Sequence, residues 1–144
     1  MPRTGACSCG GIRVHAAGEP LTVSMCHCLL CQRRTGSTYS VHAYFPNEKV
    51  RVEGKAKVYS RSSDSGRRVN FYFCPDCGAT MYWTLEAKTD RTGIPVGVFA
   101  DPNFPPPQVA IFVPHRHPWV KIPEGIPQHE AHSAQMNTPV TKPS

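Results

Sequence analysis

The 144-residue sequence has no apolar run long enough to span a bilayer. Its first residues, MPRTGACSCGG, also lack the hydrophobic segment that directs secretion. These two absences argue against an integral membrane protein and against a secreted one. We therefore expect a soluble, cytoplasmic protein with no membrane partner.

Long stretches without helix-breaking residues are missing as well, because 15 prolines and 11 glycines are spread along the chain. This argues against long helices and predicts strands joined by turns. Alternating side-chain character indicates strands at IRVHA, LTVSM, VHAYF, KVRVEG, KVYSRS, RRVNFYF, TMYWTLEA, IPVGVFA and QVAIFVP. Pro95 places IPVGVFA at a sheet edge, and QRRTGSTYS is expected to hold one helical turn. The predicted fold class is mainly β.

Large apolar side chains become rare after about Pro123, where the chain is polar and proline-bearing. Such a segment buries too little surface to offset the entropy cost of ordering it. The rest of the chain is long enough for one domain with its own core. We predict one zinc-binding domain over residues 1–127 and a flexible C-terminal tail over residues 128–144.

Acidic residues are few, since 10 Asp and Glu stand against 16 Lys and Arg, for a net charge of +6. Such an excess can indicate a nucleic-acid partner. Binding two Zn²⁺ ions through seven thiolates would lower the charge to about +3, which is a modest excess. The basic residues between Lys49 and Arg68 lie on predicted strands, as on a solvated sheet face. A nucleic-acid partner is therefore not expected.

Disulfides are not expected either, because the cytoplasm keeps thiols reduced and seven cysteines cannot all pair. The cysteines occur with the spacings C-x-C, C-x-C-x-x-C and C-P-x-C-G. The last, Cys74 and Cys77 in FCPDCGAT, is a turn in which two thiolates can bind one metal ion and Gly78 provides backbone freedom. A closed four-thiolate zinc site is the favoured interpretation, and iron is the main chemical competitor.

The other two thiolates of this site come either from Cys7 and Cys9 or from the cysteines of MCHCLLCQRRTG. If Cys7 and Cys9 complete the C-P-x-C-G site, every cysteine in the chain is used. Three cysteines then remain for a second zinc with one open coordination position. They are Cys26, Cys28 and Cys31. The closed site would contribute folding energy, and the open position is where a ligand can bind.

Between about residues 5 and 127 the chain carries, in this order, CSCGGIRV, CHCLLCQRRTGS, FCPDCGATMYW, VGVFADP, PWVKI and EGIP. Together these segments resemble the glutathione-dependent formaldehyde-activating enzyme family, which includes centromere protein V. The resemblance implies a β-tent fold of antiparallel sheets, a structural zinc and a second, more labile zinc. The implied ligands are Cys7, Cys9, Cys74 and Cys77 for the first and Cys26, Cys28 and Cys31 for the second.

The resemblance also implies a zinc-dependent carbon–sulfur lyase that uses glutathione as co-substrate, with a small-molecule thiol and an aldehyde as partners. In the implied reaction the sulfur of glutathione takes the open position on the second zinc. It attacks formaldehyde, or another small aldehyde, and gives S-(hydroxymethyl)glutathione. Three thiolate ligands neutralise the zinc, which favours binding of a further thiolate over generation of hydroxide.

Several side chains near the second cysteine group suit this chemistry. His27, Tyr39 and His42 are candidate proton donors to the developing alkoxide. Arg33 and Arg34 are candidates for binding the carboxylates of glutathione through bidentate hydrogen bonds, although an arginine pair is more often a solvated surface.

Two alternatives to an enzyme stay open. The same site can capture a thiol ligand or an acidic partner without turnover, or both metals can be purely structural. His115 and His117 are further candidates for the fourth ligand of the second zinc, but the flanking Pro114 and Pro118 favour an exposed loop.

Overall fold

The computed structural model describes residues 2–63 and 66–131, and within them the chain forms ten β-strands and one α-helix. The strands are β1 (Arg3–Ala6), β2 (Arg13–Ala16), β3 (Thr22–Cys26), β4 (Ser40–Pro46), β5 (Val50–Glu53), β6 (Lys57–Ser62), β7 (Arg68–Phe73), β8 (Thr80–Leu85), β9 (Arg91–Pro95) and β10 (Val109–Ile111). The helix, α1, spans Leu29–Thr35, and short 3₁₀ helices span Asn47–Lys49, Val96–Phe99 and Val113–His115. The prediction of a mainly β fold is confirmed.

The strands form two sheets. Strands β1, β2 and β5 make a small antiparallel sheet, and the other seven follow the order β10-β3-β4-β9-β8-β7-β6. Neighbours in this larger sheet are antiparallel except β10 and β3, which are parallel. In the described part of the chain, no helix is long and apolar enough to cross a membrane.

The main core contains buried side chains from both sheets. Val14 of the small sheet packs in one cluster with Val23, Phe45 and Ile94 of the large sheet. Fully burying a side chain of this size stabilises the fold by about 1.5–3 kcal/mol. Strand β3 is buried along its whole length, so its polar Thr22 is covered as well as its apolar neighbours. The alternation in LTVSM indicates one buried face of the strand, whereas the structure buries both faces of β3.

The prediction for IPVGVFA is wrong in two respects. Strand β9 ends at Pro95, and the chain then turns into the 3₁₀ helix Val96–Phe99. Strand β9 also lies in the interior of the large sheet, between β4 and β8, and not at an edge. Pro95 is tolerated there because it is the last residue of the strand, where β9 no longer pairs with β8.

Helix α1 begins earlier than the helical turn predicted within QRRTGSTYS. Cys28 is its N-cap, because its Sγ accepts a hydrogen bond from the backbone N–H of Cys31 at 3.2 Å. Gly36 ends the helix with a φ of 73°, a left-handed conformation that suits glycine, and its N–H donates to the carbonyl of Gln32 at 2.8 Å. Strand β1 is not predicted at all, since RTGA is too short to show an alternating pattern.

Trp83 lies directly against the backbone of Gly93 in the neighbouring strand β9. A Cβ atom at position 93 would collide with the indole ring of Trp83. Glycine at this position therefore lets the large ring lie close to the sheet, where it forms part of the cavity described below.

The residues just after position 127 are hydrogen bonded near the β10 edge of the large sheet. The N–H of His129 donates to the carbonyl of Ala110 at 2.9 Å, and the N–H of Val113 donates to the carbonyl of His129 at 3.1 Å. These contacts fall within the predicted tail, residues 128–144, of which 132–144 lie outside the described residues. The domain boundary at residue 127 stays a prediction.

Candidate functional site

The first cysteine cluster joins residues that are far apart in the sequence. The Sγ atoms of Cys7, Cys9, Cys74 and Cys77 all lie within 4.8 Å of one another. Cys9 Sγ is 3.7 Å from Cys7 Sγ and 3.6 Å from Cys74 Sγ. Four thiolates at about 2.3 Å from a tetrahedral zinc ion are separated by about 3.8 Å, so the cluster fits zinc. A backbone hydrogen bond from Ala79 lowers the pKa of Cys77 to about 6, which favours its thiolate.

Two tight turns present these thiols. Gly78 and Gly10 both have a φ of 79° and donate backbone hydrogen bonds to the carbonyls of Cys74 and Cys7, at 2.8 and 3.0 Å. The N–H of Ile12 donates to Cys7 Sγ at 3.2 Å, which stabilises a thiolate there. One turn connects β1 to β2 and the other connects β7 to β8. The cluster therefore links the small sheet to the large one.

The second cluster is formed by Cys26, Cys28 and Cys31, whose Sγ atoms also lie within 4.8 Å of one another. Cys31 Sγ is 3.4 Å from Cys26 Sγ. Hydrogen bonding to Cys28 and Cys31 raises the pKa of the Cys26 thiol, and hydrogen bonding to Cys26 lowers the pKa of the Cys31 thiol. The opposite shifts arise because one thiol keeps its proton while its neighbour loses one. A metal ion that binds these sulfurs displaces the remaining protons. Among the described residues, no histidine or carboxylate joins this group.

The strand-to-helix connection explains the C-x-C-x-x-C spacing. Cys26 is the last residue of β3, Cys28 is the N-cap of α1, and Cys31 lies in the first helical turn. Residues three apart on a helix face the same side, so Cys31 lies next to Cys28. The structure thus brings the seven cysteines together in the two groups that the sequence favours.

The three-cysteine cluster lies in the wall of a cavity of about 380 Å³. Apolar side chains make up much of the remaining wall. They are Leu30, Val69, Phe71, Trp83, Leu85, Ala87, Ile111 and Phe112. The four-cysteine cluster does not line this cavity. The two predicted metal centres therefore differ in their access to a ligand.

Two buried polar side chains, His42 and Tyr44, line the cavity beside the cysteines. Tyr44 Oη accepts a hydrogen bond from Trp83 Nε1 at 3.3 Å. Burial raises the pKa of Tyr44, so its phenol keeps its proton at neutral pH. The sequence does not single out Tyr44. The signal that could have identified Tyr44 is its position two residues after His42 on β4, because residues two apart in a strand lie on the same face.

The other histidine and tyrosine candidates lie elsewhere. His27 is completely buried, with its ring 5.8 Å from the ring of Tyr39, and neither residue lines the cavity. His117 Nε2 is 3.1 Å from Gln32 Oε1, at a separate surface hollow, and His115 is not part of the cysteine cluster. Of the predicted proton donors, the structure brings only His42 to the cavity.

The adjacent arginines of α1 face different surfaces. Arg34 lines the cavity, and its Cζ atom lies 5.0 Å from the ring centroids of both Phe71 and Trp83. Arg33 is exposed and lines the separate hollow instead. Consecutive residues on a helix point about 100° apart, so the two side chains extend in different directions. The placement supports a ligand role for Arg34 and none in this cavity for Arg33.

Part of the basic stretch between Lys49 and Arg68 also belongs to the cavity. Three arginines of this stretch line it, and they are Arg61, Arg67 and Arg68. Arg67 and Arg68 are exposed, which fits the predicted solvated face, and all three arginines also face the cavity. They come from β6, β7 and the connection between them, which the order of the large sheet brings opposite α1.

A profile of the family described as glutathione-dependent formaldehyde-activating enzyme matches residues 2–115. The chain belongs to this family. A Penicillium rubens protein that carries the provisional name glutathione-dependent formaldehyde-activating enzyme is 26% identical over an alignment of 124 positions, and the alignment covers 78% of this chain. The match spans 64% of the length of that protein.

The fold is also similar to a crystal structure of a Rhodobacter sphaeroides protein. The TM-score is 0.53 at 18% sequence identity, covering 87% of this chain and 98% of the other. At this identity the likeness supports the fold alone.

Membership in the glutathione-dependent formaldehyde-activating family confirms the resemblance seen in the sequence, and it supports the predicted class of function. The two cysteine clusters can hold metal ions, which fits zinc as the cofactor, and the family name fits glutathione as the thiol. The likeness to centromere protein V stays a prediction.

Proposed function

We propose that the chain is a zinc-dependent carbon–sulfur lyase, which adds glutathione thiolate to formaldehyde or another small aldehyde and forms S-(hydroxymethyl)glutathione. The observation that carries this proposal is the place of the three-cysteine cluster in the wall of a cavity that the four-cysteine cluster does not line. A metal ion with three thiolate ligands can accept a further sulfur, whereas one with four is closed.

The metal ions would be held by the two cysteine clusters. Cys26, Cys28 and Cys31 would hold the zinc at the cavity, and the remaining four cysteines would hold a structural zinc. When bound, the zinc at the cavity supplies a Lewis acid that lowers the pKa of an incoming thiol. The apolar Leu30, Ile111 and Phe112 line the same cavity and limit its water, which strengthens electrostatic interactions there.

Tyr44 is the proposed proton donor. As the sulfur–carbon bond forms, the double bond of the aldehyde opens and its oxygen takes a proton. Tyr44 Oη already accepts a hydrogen bond from Trp83, and this polarises its own O–H as a donor. Burial raises the pKa of Tyr44, and the hydrogen bond from Trp83 opposes this shift because it stabilises the phenolate that proton transfer leaves behind. His42, beside it, can hold the oxygen through a second hydrogen bond.

The substitution Tyr44→Phe removes the hydroxyl and keeps the ring. We expect kcat to fall by about 100-fold, since general acid catalysis contributes about 100-fold or more. The zinc content should be unchanged, because Tyr44 belongs to neither cysteine cluster. Steady-state kinetics and metal analysis check this, with Tyr39→Phe as the matched control outside the cavity. An unchanged kcat in Tyr44→Phe would show that the donor is another group.

The proposed activity is tested by measuring the exchange between free ¹³C-formaldehyde and its glutathione adduct by NMR. The adduct also forms spontaneously, so the rate of exchange carries the information. We expect purified protein with two zinc ions per chain to accelerate the exchange, and removal of the cavity zinc by a chelator to abolish the acceleration. Binding of glutathione without any acceleration would contradict the lyase and favour a module that only captures a thiol.

A further inference from the structure

Arg34 and Arg61 approach the same aromatic ring from different parts of the fold. Arg34 comes from α1 and Arg61 from β6, and their Cζ atoms lie 5.0 and 4.9 Å from the ring centroid of Phe71. The two guanidinium carbons are therefore at most about 10 Å apart. Arg34 lies equally close to the ring of Trp83. Aromatic faces attract cations, so the rings hold both side chains in place.

Two cations this close repel each other unless an anion lies between them. Arg34 Nε is buried and has no hydrogen-bond partner. Arg61 Nη1 donates a long hydrogen bond, 3.4 Å, to the carbonyl of Ser62. Within the described residues, no acidic side chain lines the cavity. Arg34 also interacts with the sulfur of Cys31, but the described cavity wall offers no carboxylate to the pair, which thus presents N–H donors and positive charge to a ligand.

We propose that Arg34 and Arg61 form the subsite for the glycine carboxylate of glutathione. This assignment rests on the proposed function, because it takes glutathione as the thiol. Both arginines line the cavity that contains the three-cysteine cluster, and Arg34 lies one helical turn after Cys31. One ligand can therefore place its sulfur at the cysteines and a carboxylate between the guanidinium groups. Arginine suits this role because its planar fork of N–H donors matches a carboxylate.

The choice between the two carboxylates of glutathione follows from charge. The glutamyl carboxylate has an ammonium group on the same carbon atom, and two guanidinium groups would repel that cation. The glycine carboxylate has no cation beside it. The subsite therefore favours the glycine end of the tripeptide.

The subsite is tested by calorimetric titration of the zinc-loaded protein with glutathione and with glutathione esterified at its glycine carboxylate. We expect the wild-type protein to bind the ester about tenfold more weakly, since charge-assisted hydrogen bonds are lost. Arg61→Gln should bind glutathione about tenfold more weakly and should no longer distinguish the acid from the ester. Lys57→Gln is the matched control, because Lys57 lies on the same strand outside the cavity lining.

Equal binding of acid and ester by the wild-type protein would overturn the subsite. So would an Arg61→Gln variant that still prefers the acid tenfold. The titration measures binding and not turnover, so it tests the carboxylate subsite independently of the lyase activity. A protein that shows the expected ester effect but does not accelerate the aldehyde reaction refutes the lyase and supports the subsite. A protein that accelerates the reaction but ignores esterification refutes the subsite alone.

Discussion

Replacing Cys28 with serine is expected to remove one of two zinc ions per chain and to lower the glutathione-dependent consumption of aldehyde by more than about 100-fold. Cys28 has two roles, as a proposed metal ligand and as the N-cap of α1. Serine is a preferred N-cap residue, but its hydroxyl is a poor zinc ligand at neutral pH. The variant should therefore stay folded and lose only the metal. Metal analysis, kinetics and thermal unfolding measure the three quantities.

A second variant separates the two roles of this residue. Cys28→Ala removes both the ligand and the cap, so it should lose as much activity as Cys28→Ser and in addition about 1 kcal/mol of stability. A folded Cys28→Ser protein that retained full activity would rule out the metal-dependent mechanism.

Replacing Cys74 with serine is expected to prevent stable folding. Cys74 is 1% exposed and packs in the core between the two sheets. Binding of a structural zinc ion contributes about 10–16 kcal/mol in small zinc-dependent domains, which is comparable to the whole stability of a typical domain, about 5–15 kcal/mol. Loss of one of four ligands should therefore leave the chain largely unfolded at 25 °C.

Far-ultraviolet circular dichroism and thermal unfolding check this result. The Cys28→Ser variant is the natural control, because it also loses one thiol but leaves the four-cysteine cluster intact. A Cys74→Ser protein that unfolds cooperatively at the wild-type temperature would show that the four-cysteine cluster does not stabilise the fold.

The features that could be predicted from the sequence are those with a local signal. A C-x-x-C turn and a strand with alternating side chains can each be recognised within a few residues. The count of seven cysteines then favours their division into a group of four and a group of three. Arg33 and Arg34 show the limit of local patterns, because they are identical neighbours. Only the rotation of α1 against the large sheet decides which one enters the cavity.

The other cavity residues depend on the order of the strands. Tyr44 lies on β4 and Arg61 on β6, and both line the same cavity as the cysteines of β3 and α1 only because of how the large sheet is assembled. The wrong position of IPVGVFA has the same origin. A proline within a strand indicates an edge on average, but whether a strand is interior depends on partners that are distant in the sequence.

The position of β6 at the end of the large sheet has a consequence for how this protein can evolve. Among the described residues β6 pairs with β7 alone, whereas the cysteines of the cavity lie on α1 and on β3, which is near the other end of the sheet. If Arg61 of the β6–β7 hairpin binds the thiol as proposed, substitutions there change which thiol is recognised and leave the seven cysteines in place. Under the proposed function, this hairpin is a place where substrate range can change while both cysteine clusters stay the same.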